Sequence, residues 1–192
     1  MDKLKIKVIL GSTRPERFGE KPANWITEKA SAINEFEVEL LDLRDYPMPF
    51  FEEPVSPAQS NFETPEGIVA DWTKKIDEAD GFIMVTPEYN HGPSAVLKNA
   101  IDYTFYPWHK KPVGFVSYGL VGGSNAVQQL RQNIAEVQMA SVRTAVLIPD
   151  PWDIKPDDSL EKHDRVADSM LSELFWWSKT LKAGRSQYFP NS

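Results

Sequence analysis

The chain has 192 residues, 41% of them hydrophobic and 26% charged, which suits one globular domain with a sizeable core and is short for two. Its formal net charge is −7 and its longest basic run is Lys110-Lys111, so composition argues against nucleic acid and acidic membranes as partners. Cysteine is absent, which excludes disulfides, thiolate metal sites and a catalytic thiol, and leaves any redox chemistry to a cofactor. The apolar run within Met1 to Gly11 is too short for a signal peptide, and no window reaches the roughly 18 apolar residues of a spanning helix. The expectation is a cytoplasmic protein.

Short apolar runs alternate with helical periodicity. Ile6 to Leu10, Glu37 to Leu41, Gly81 to Val85, Pro112 to Ser117 and Ser141 to Leu147 read as strands. Lys21 to Asn34, Pro65 to Glu78, Ser94 to Phe105, Ser124 to Val137 and Asp157 to Lys182 read as helices. Such a ladder needs right-handed crossovers and a parallel sheet covered on both faces. The fold expected over residues 1–192 is a single α/β domain, a flavodoxin-like three-layer sandwich with a five-stranded parallel sheet in the order 2-1-3-4-5. In that order the loops after Leu10 and Val85 open onto the same crevice, where open sheets of this kind bind ligands.

Leu43 to Thr64 interrupts the rhythm. It is a long stretch of Pro, acidic and aromatic residues without helical period, read as a surface loop that packs its own aromatics and contributes to a site rim or partner contact.

Three loops carry the chemistry. After the first strand, Gly11 to Gly19 (GSTRPERFG) combines hydroxyls and guanidinium groups ahead of a helix, a composition suited to a phosphate monoester. It has neither the Lys and Gly spacing of a triphosphate loop nor G-x-G-x-x-G. After the third strand, Thr86 to Pro93 (TPEYNHGP) places an acceptor, an aromatic plane and an amide within a few residues, which suits a flat heteroaromatic ligand. After the fourth, Ser117 to Ser124 (SYGLVGGS) has glycines that admit close backbone approach ahead of a helix. Duller readings stand beside these: Tyr89 as a packing aromatic, Glu88 as a solvated acid or salt-bridge partner, His91 as a surface histidine, and Gly122-Gly123 as a turn.

Gly11-Ser12-Thr13-Arg14, then Thr86-Pro87-Glu88-Tyr89-Asn90-His91-Gly92 and Leu97-Lys98-Asn99-Ala100-Ile101-Asp102-Tyr103, make the chain resemble the NADPH-dependent FMN reductases, flavodoxin-like proteins that include quinone, azo-dye and chromate reductases. The likeness spans roughly residues 5 to 145 and departs at His91-Gly92, where family members typically show a serine or valine pair. It implies FMN as cofactor and NADPH or NADH as co-substrate. It also implies that Ser12, Arg14, Arg17, Phe18 and Gly19 hold the FMN phosphate and the start of the ribityl chain. Pro87, Glu88, Tyr89, Asn90, His91 and Gly92 would border the isoalloxazine, and Ser117, Tyr118, Gly119, Gly122 and Gly123 would form a third wall. N–H groups ahead of the fourth helix would stabilise charge on the reduced flavin.

The flavin carries the reaction in that reading, so no catalytic side chain and no metal ligand is assigned. The expected mechanism is ping-pong, passing hydride from nicotinamide to flavin N5 and then electrons to a small acceptor such as a quinone, azo compound, metal ion or free flavin. The alternative is an FMN-binding flavodoxin-type electron carrier. A hydrolase using Ser12 or Ser94 lacks a G-x-S-x-G elbow, and neither His109 nor His163 lies near an obvious acid at a strand end. A homodimer or homotetramer is expected, with Val96, Ala100, Tyr103 and Phe105 to Trp108 as an apolar contact face and Lys98, Asn99 and Asp102 at the helix surface. The cluster Leu174, Phe175, Trp176 and Trp177 with Tyr188 and Phe189 reads mainly as core and C-terminal docking, with the part that exceeds the needs of one sheet face as a subunit interface.

Overall fold

A computed structural model describes residues 2–59 and 66–188. Five strands, β1 (Leu4–Leu10), β2 (Phe36–Asp42), β3 (Gly81–Pro87), β4 (Pro112–Gly119) and β5 (Ala140–Pro149), form one parallel sheet in the order 2-1-3-4-5. Each contains its expected span. β3 and β4 are buried along their whole length, as central strands covered on both faces must be.

Successive residues serve opposite faces. Ile83 and Val85 pack with α1 (Glu20–Ser31) and α5 (Asp164–Tyr188), while Phe82 and Met84 pack with α2 (Gly67–Asp77), α3 (Ala95–Asp102) and α4 (Ser124–Glu136). The expected start of α2 at Pro65 lies outside the described residues, as does Phe189. No helix among the described residues is long and apolar enough to cross a membrane.

Three helices depart from their expected spans by three residues or more, α1 ending at Ser31 instead of Asn34. α3 ends at Asp102 instead of Phe105, because indole groups take its last carbonyls: Trp72 Nε1 donates to Ala100 O at 2.8 Å and Trp108 Nε1 to Ile101 O at 3.3 Å. The chain then turns through a short 3-10 segment at Tyr106–Trp108. α5 starts at Asp164 after another such segment at Glu161–His163, and continues past Lys182. Along it Leu174, Phe175 and Trp177 join the core, whereas Trp176 and Tyr188 are exposed.

The described part of the long loop, residues 43–59, is fastened to α3. The Asn99 side chain accepts from Phe51 N at 2.9 Å and donates to Pro49 O at 2.7 Å, and Tyr103 Oη donates to Phe50 O at 3.3 Å. The Phe51 and Tyr103 rings meet edge to face. Asn99 is therefore a clamp for this loop rather than a free surface amide. The face expected to meet another subunit is largely covered within the chain, with Ala100 and Trp108 fully buried and Tyr103 nearly so.

Candidate functional site

The first strand ends against the third: Gly11 N donates to Val85 O at 2.8 Å, and a Cβ at Gly11 would lie 2.9 Å from that same oxygen. Glycine is thus required where the two central strands part. Beyond it the loop after β1 is held by two side chains from elsewhere, Ser94 and Arg44, and by its own Arg17. Ser94, buried at the start of α3, donates its hydroxyl to Gly11 O and accepts from Leu97 N at 3.3 Å. Arg17 donates to Ser12 O, and Arg44 donates to Thr13 O at 3.4 Å and to Arg14 O.

Arg17 lines the cleft, but its guanidinium is engaged within the protein. It pairs with both oxygens of Asp42, and its Nε and Nη2 meet Glu20 Oε1 at 3.1 and 3.0 Å. With Ser12 O included, its five N–H groups are all directed at protein acceptors. Burial works against ionisation of Asp42, but the Arg17 hydrogen bonds and the Arg44 backbone N–H outweigh it and hold the carboxyl below its usual range. Arg14, by contrast, stacks over the Tyr89 ring at 5.7 Å, and no side-chain hydrogen bond engages it among the described residues.

The loop after β3 is a two-residue hairpin. Tyr89 N donates to Gly92 O at 2.8 Å and Gly92 N to Tyr89 O at 3.0 Å, with Asn90 and His91 both at positive φ, the pattern of a type I′ turn. Its tip points out: Asn90 and His91 are exposed, and His91 O accepts from Gln129 Nε2 at 2.8 Å. Of this segment Pro87, Glu88 and Tyr89 line the cleft, whereas Asn90, His91 and Gly92 do not. The Glu88 backbone N–H is also committed, to Tyr118 O at 2.9 Å.

The Glu88 carboxylate caps the first turn of α4. It accepts from Asn125 N at 2.9 Å, Asn125 Nδ2 at 2.9 Å and Ala126 N at 3.3 Å. The positive end of α4 is thereby already matched by a negative side chain, and these two N–H groups are spent on it.

Ser117 is equally committed. It is fully buried and donates within hydrogen-bonding distance of Thr86 O and Gly123 O. Gly122 and Gly123, both left-handed, let the turn before α4 fold back over Ser117 and Leu147. Ser117, Gly122 and Gly123 support the third wall from behind, and Gly19 likewise stands behind the cleft, where a Cβ would meet Tyr118 Oη at 2.5 Å.

What remains is a cleft of about 370 Å³ at the carboxyl ends of the strands. Ser12, Arg14, Glu16, Arg17 and Phe18 from the loop after β1, Tyr89 from the hairpin, and Tyr118 and Gly119 from the end of β4 line it. Tyr118 packs edge to face on Phe18 at 5.1 Å, and burial pushes its hydroxyl well above the usual range, so it is a neutral donor. Ser12 Oγ and Tyr89 Oη lie 3.3 Å apart across the mouth.

Sequence reasoning missed Trp152, exposed on a 3-10 turn after β5 that also lines the cleft. The turn is anchored by Asp150 N donating to Gly119 O at 3.1 Å. It also missed Asp42 and Arg44. The strand order was the available signal, since β2 neighbours β1 and its last residues must lie beside the loop after Leu10.

A ligand cleft at the switch point of a 2-1-3-4-5 sheet, with a hydroxyl- and arginine-bearing loop after β1 and aromatic walls, defines a flavodoxin-like mononucleotide-binding protein. The model of the NADPH-dependent FMN reductase family matches residues 4–153, and the chain belongs to that family. It is 38% identical over 148 residues to an NAD(P)H-dependent FMN reductase of Schizosaccharomyces pombe, a match covering 76% of this chain and 74% of that one. It is 31% identical over 144 residues to a quinone reductase of Pseudomonas putida, covering 70% and 71%. Among solved structures it resembles the flavoenzyme NAD(P)H:(acceptor) oxidoreductase of Paracoccus denitrificans, with a TM-score of 0.69, 21% identity, and 92% and 98% of the two chains covered. The protein is an NAD(P)H-dependent flavin oxidoreductase with FMN as its cofactor.

Proposed function

We propose that the chain acts as a single FMN-binding domain that reduces small planar acceptors, quinones foremost, by a ping-pong sequence. The carrying observation is the loop after β1. The backbone N–H groups of Ser12, Thr13 and Arg14 donate to nothing among the described residues, and the Arg14 guanidinium has no hydrogen-bonded side-chain partner beside them. That donor set fits a phosphate monoester, and the neighbouring cleft walled by Phe18, Tyr89, Tyr118 and Trp152 fits the aromatic part of FMN.

FMN supplies the two-electron transfer between nicotinamide and acceptor. Ser12, Thr13 and Arg14 bind its phosphate, Tyr118 offers a neutral hydroxyl from the floor, and the aromatic walls exclude water from its rings. No side chain in the cleft is placed as an acid or base. One open mouth serves donor and acceptor in turn, hence ping-pong kinetics. Quinones are favoured because relatives at 29–32% identity are named quinone reductases.

A homodimer or homotetramer in the cytoplasm, where NAD(P)H is supplied, completes the reading. It is supported by exposed apolar side chains on the loops after β2 and β4, Phe50, Leu120 and Val121.

The decisive test is the absorption spectrum of the purified protein, with NADPH and NADH added anaerobically in separate runs. A flavin spectrum bleached by either and restored by a quinone is the expected result. A flavin spectrum that neither nucleotide bleaches would make the protein an electron carrier, and a colourless protein that fails to bind added FMN would overturn the site.

A further inference from the structure

We infer that Asp42 and Arg44, at the end of β2 and just beyond it, are positioning residues that hold the loop after β1 in a shape ready for phosphate before any ligand arrives. The inference rests on the phosphate assignment made above and follows from the peptide bond itself. In a planar trans peptide the carbonyl and the following N–H point in opposite directions, so fixing one fixes the other. Each of three successive carbonyls here is held by a different side chain. Ser94 holds Gly11 O, which orients the N–H of Ser12. Arg17 holds Ser12 O, which orients that of Thr13, and Arg44 holds Thr13 O, which orients that of Arg14. Arg44 also holds Arg14 O, and the next residue is Pro15, which has no N–H to orient.

The result is a run of three N–H groups turned away from their supports and left without a partner among the described residues. Concave runs of this kind bind anions.

Asp42 governs two of the three supports. Its carboxylate pairs with the Arg17 guanidinium and accepts from Arg44 N at 2.9 Å, while Glu20 joins both guanidinium groups, to Arg44 Nη1 at 3.1 Å. The Arg17 side chain is only 3% exposed, so Asp42 is the counter-charge that makes its burial tolerable and aims it at Ser12 O. An arginine is needed at position 44 because one fork reaches two carbonyls and a carboxylate together, which an ammonium cannot do. Neither Asp42 nor Arg44 lines the FMN cleft.

Because the supports act on backbone N–H groups that meet only the phosphate, they should set the preference for FMN over riboflavin. The flavin protein is equilibrated by ultrafiltration against FMN and, separately, against riboflavin, as wild type, Arg44→Met and Asp42→Asn. Arg44 is partly exposed, so Arg44→Met remains informative where Asp42→Asn, which leaves Arg17 buried without its counter-charge, does not fold. Loss of one charge-assisted support is expected to weaken FMN binding on the order of tenfold or more, with riboflavin binding little changed. If the wild type binds riboflavin as tightly as FMN, the phosphate assignment itself is wrong. If the wild type discriminates and Arg44→Met keeps that discrimination, or loses both ligands equally, Arg44 and Asp42 do not position the loop.

Discussion

Gly123 is where the third wall is most sharply constrained, and Gly123→Ala tests that constraint against a built-in control. Gly123 and Gly67 both have left-handed backbones, with φ of 78° and 57°. A methyl group at Gly67 would meet nothing within 4 Å among the described residues, whereas at Gly123 it would fall on Ser117 Oγ, 2.7 Å from Ser117 Cβ and 2.8 Å from Tyr118 N. Both alanines therefore carry the left-handed strain, about 1–2 kcal/mol. Only Gly123→Ala also displaces the Ser117 hydroxyl from Thr86 O and Gly123 O, at 3.0 and 3.1 Å, inside a fully packed site. Overpacking and the loss of the hydrogen bond that the single Ser117 proton shares between these carbonyls add about 3 kcal/mol. Urea unfolding should thus show Gly123→Ala roughly 3 kcal/mol less stable than Gly67→Ala. Equal losses for the two variants would refute the close approach of the turn to Ser117.

Three further outcomes follow. Glu88→Ala removes the carboxylate from Asn125 N and Ala126 N and should cost about 1–2 kcal/mol in unfolding free energy, with Glu88→Gln, which keeps an acceptor oxygen, costing less. Lys111, nearly buried and donating to Ile76 O at 2.8 Å and Asp77 O at 2.7 Å, is pushed down by burial to about 7. Its unfolded-state pKa is near ~10.4, so the unfolded chain binds more protons between those values and stability should rise with pH from about 7 towards 10. Lys111→Met should flatten that rise in a series of thermal melts. Trp152→Ala should reduce the quenching of tryptophan fluorescence that accompanies FMN binding and raise the KM for a planar quinone more than that for ferricyanide. Equal effects on the two acceptors would remove Trp152 from the acceptor surface.

Most of the fold was legible because hydrophobic period and chain order carry it: a fully apolar Phe82 to Val85 has no stable place except the middle of a covered sheet. The end of α3 was not legible, since it depends on Trp72 and Trp108 arriving from distant positions to take its carbonyls. At the site, residue types were read correctly as ligand-loop chemistry, but their individual roles depend on which partner each side chain finds. Arg14 and Arg17 are three residues apart in the same loop, and sequence alone gives them the same role. Both line the cleft, but only the position of Asp42, at the end of the neighbouring strand, takes up the Arg17 guanidinium, while that of Arg14 keeps no hydrogen-bonded side-chain partner among the described residues.

The same dependence explains Glu88. As a residue type it suits contact with the polar edge of a ring, yet the first N–H groups of α4 lie beside it, and a carboxylate there gains two backbone hydrogen bonds and a favourable dipole. Once Glu88 is spent on α4 and Arg17 on Asp42, the cleft is left with Arg14, the exposed Glu16, three backbone donors nearby and aromatic walls. A cation beside fixed N–H groups at one end and apolar ring faces elsewhere is the polarity that a phosphate-bearing aromatic cofactor requires. The buried charges of the loops act through their neighbours, by fixing backbone direction, and the cofactor keeps the electron chemistry.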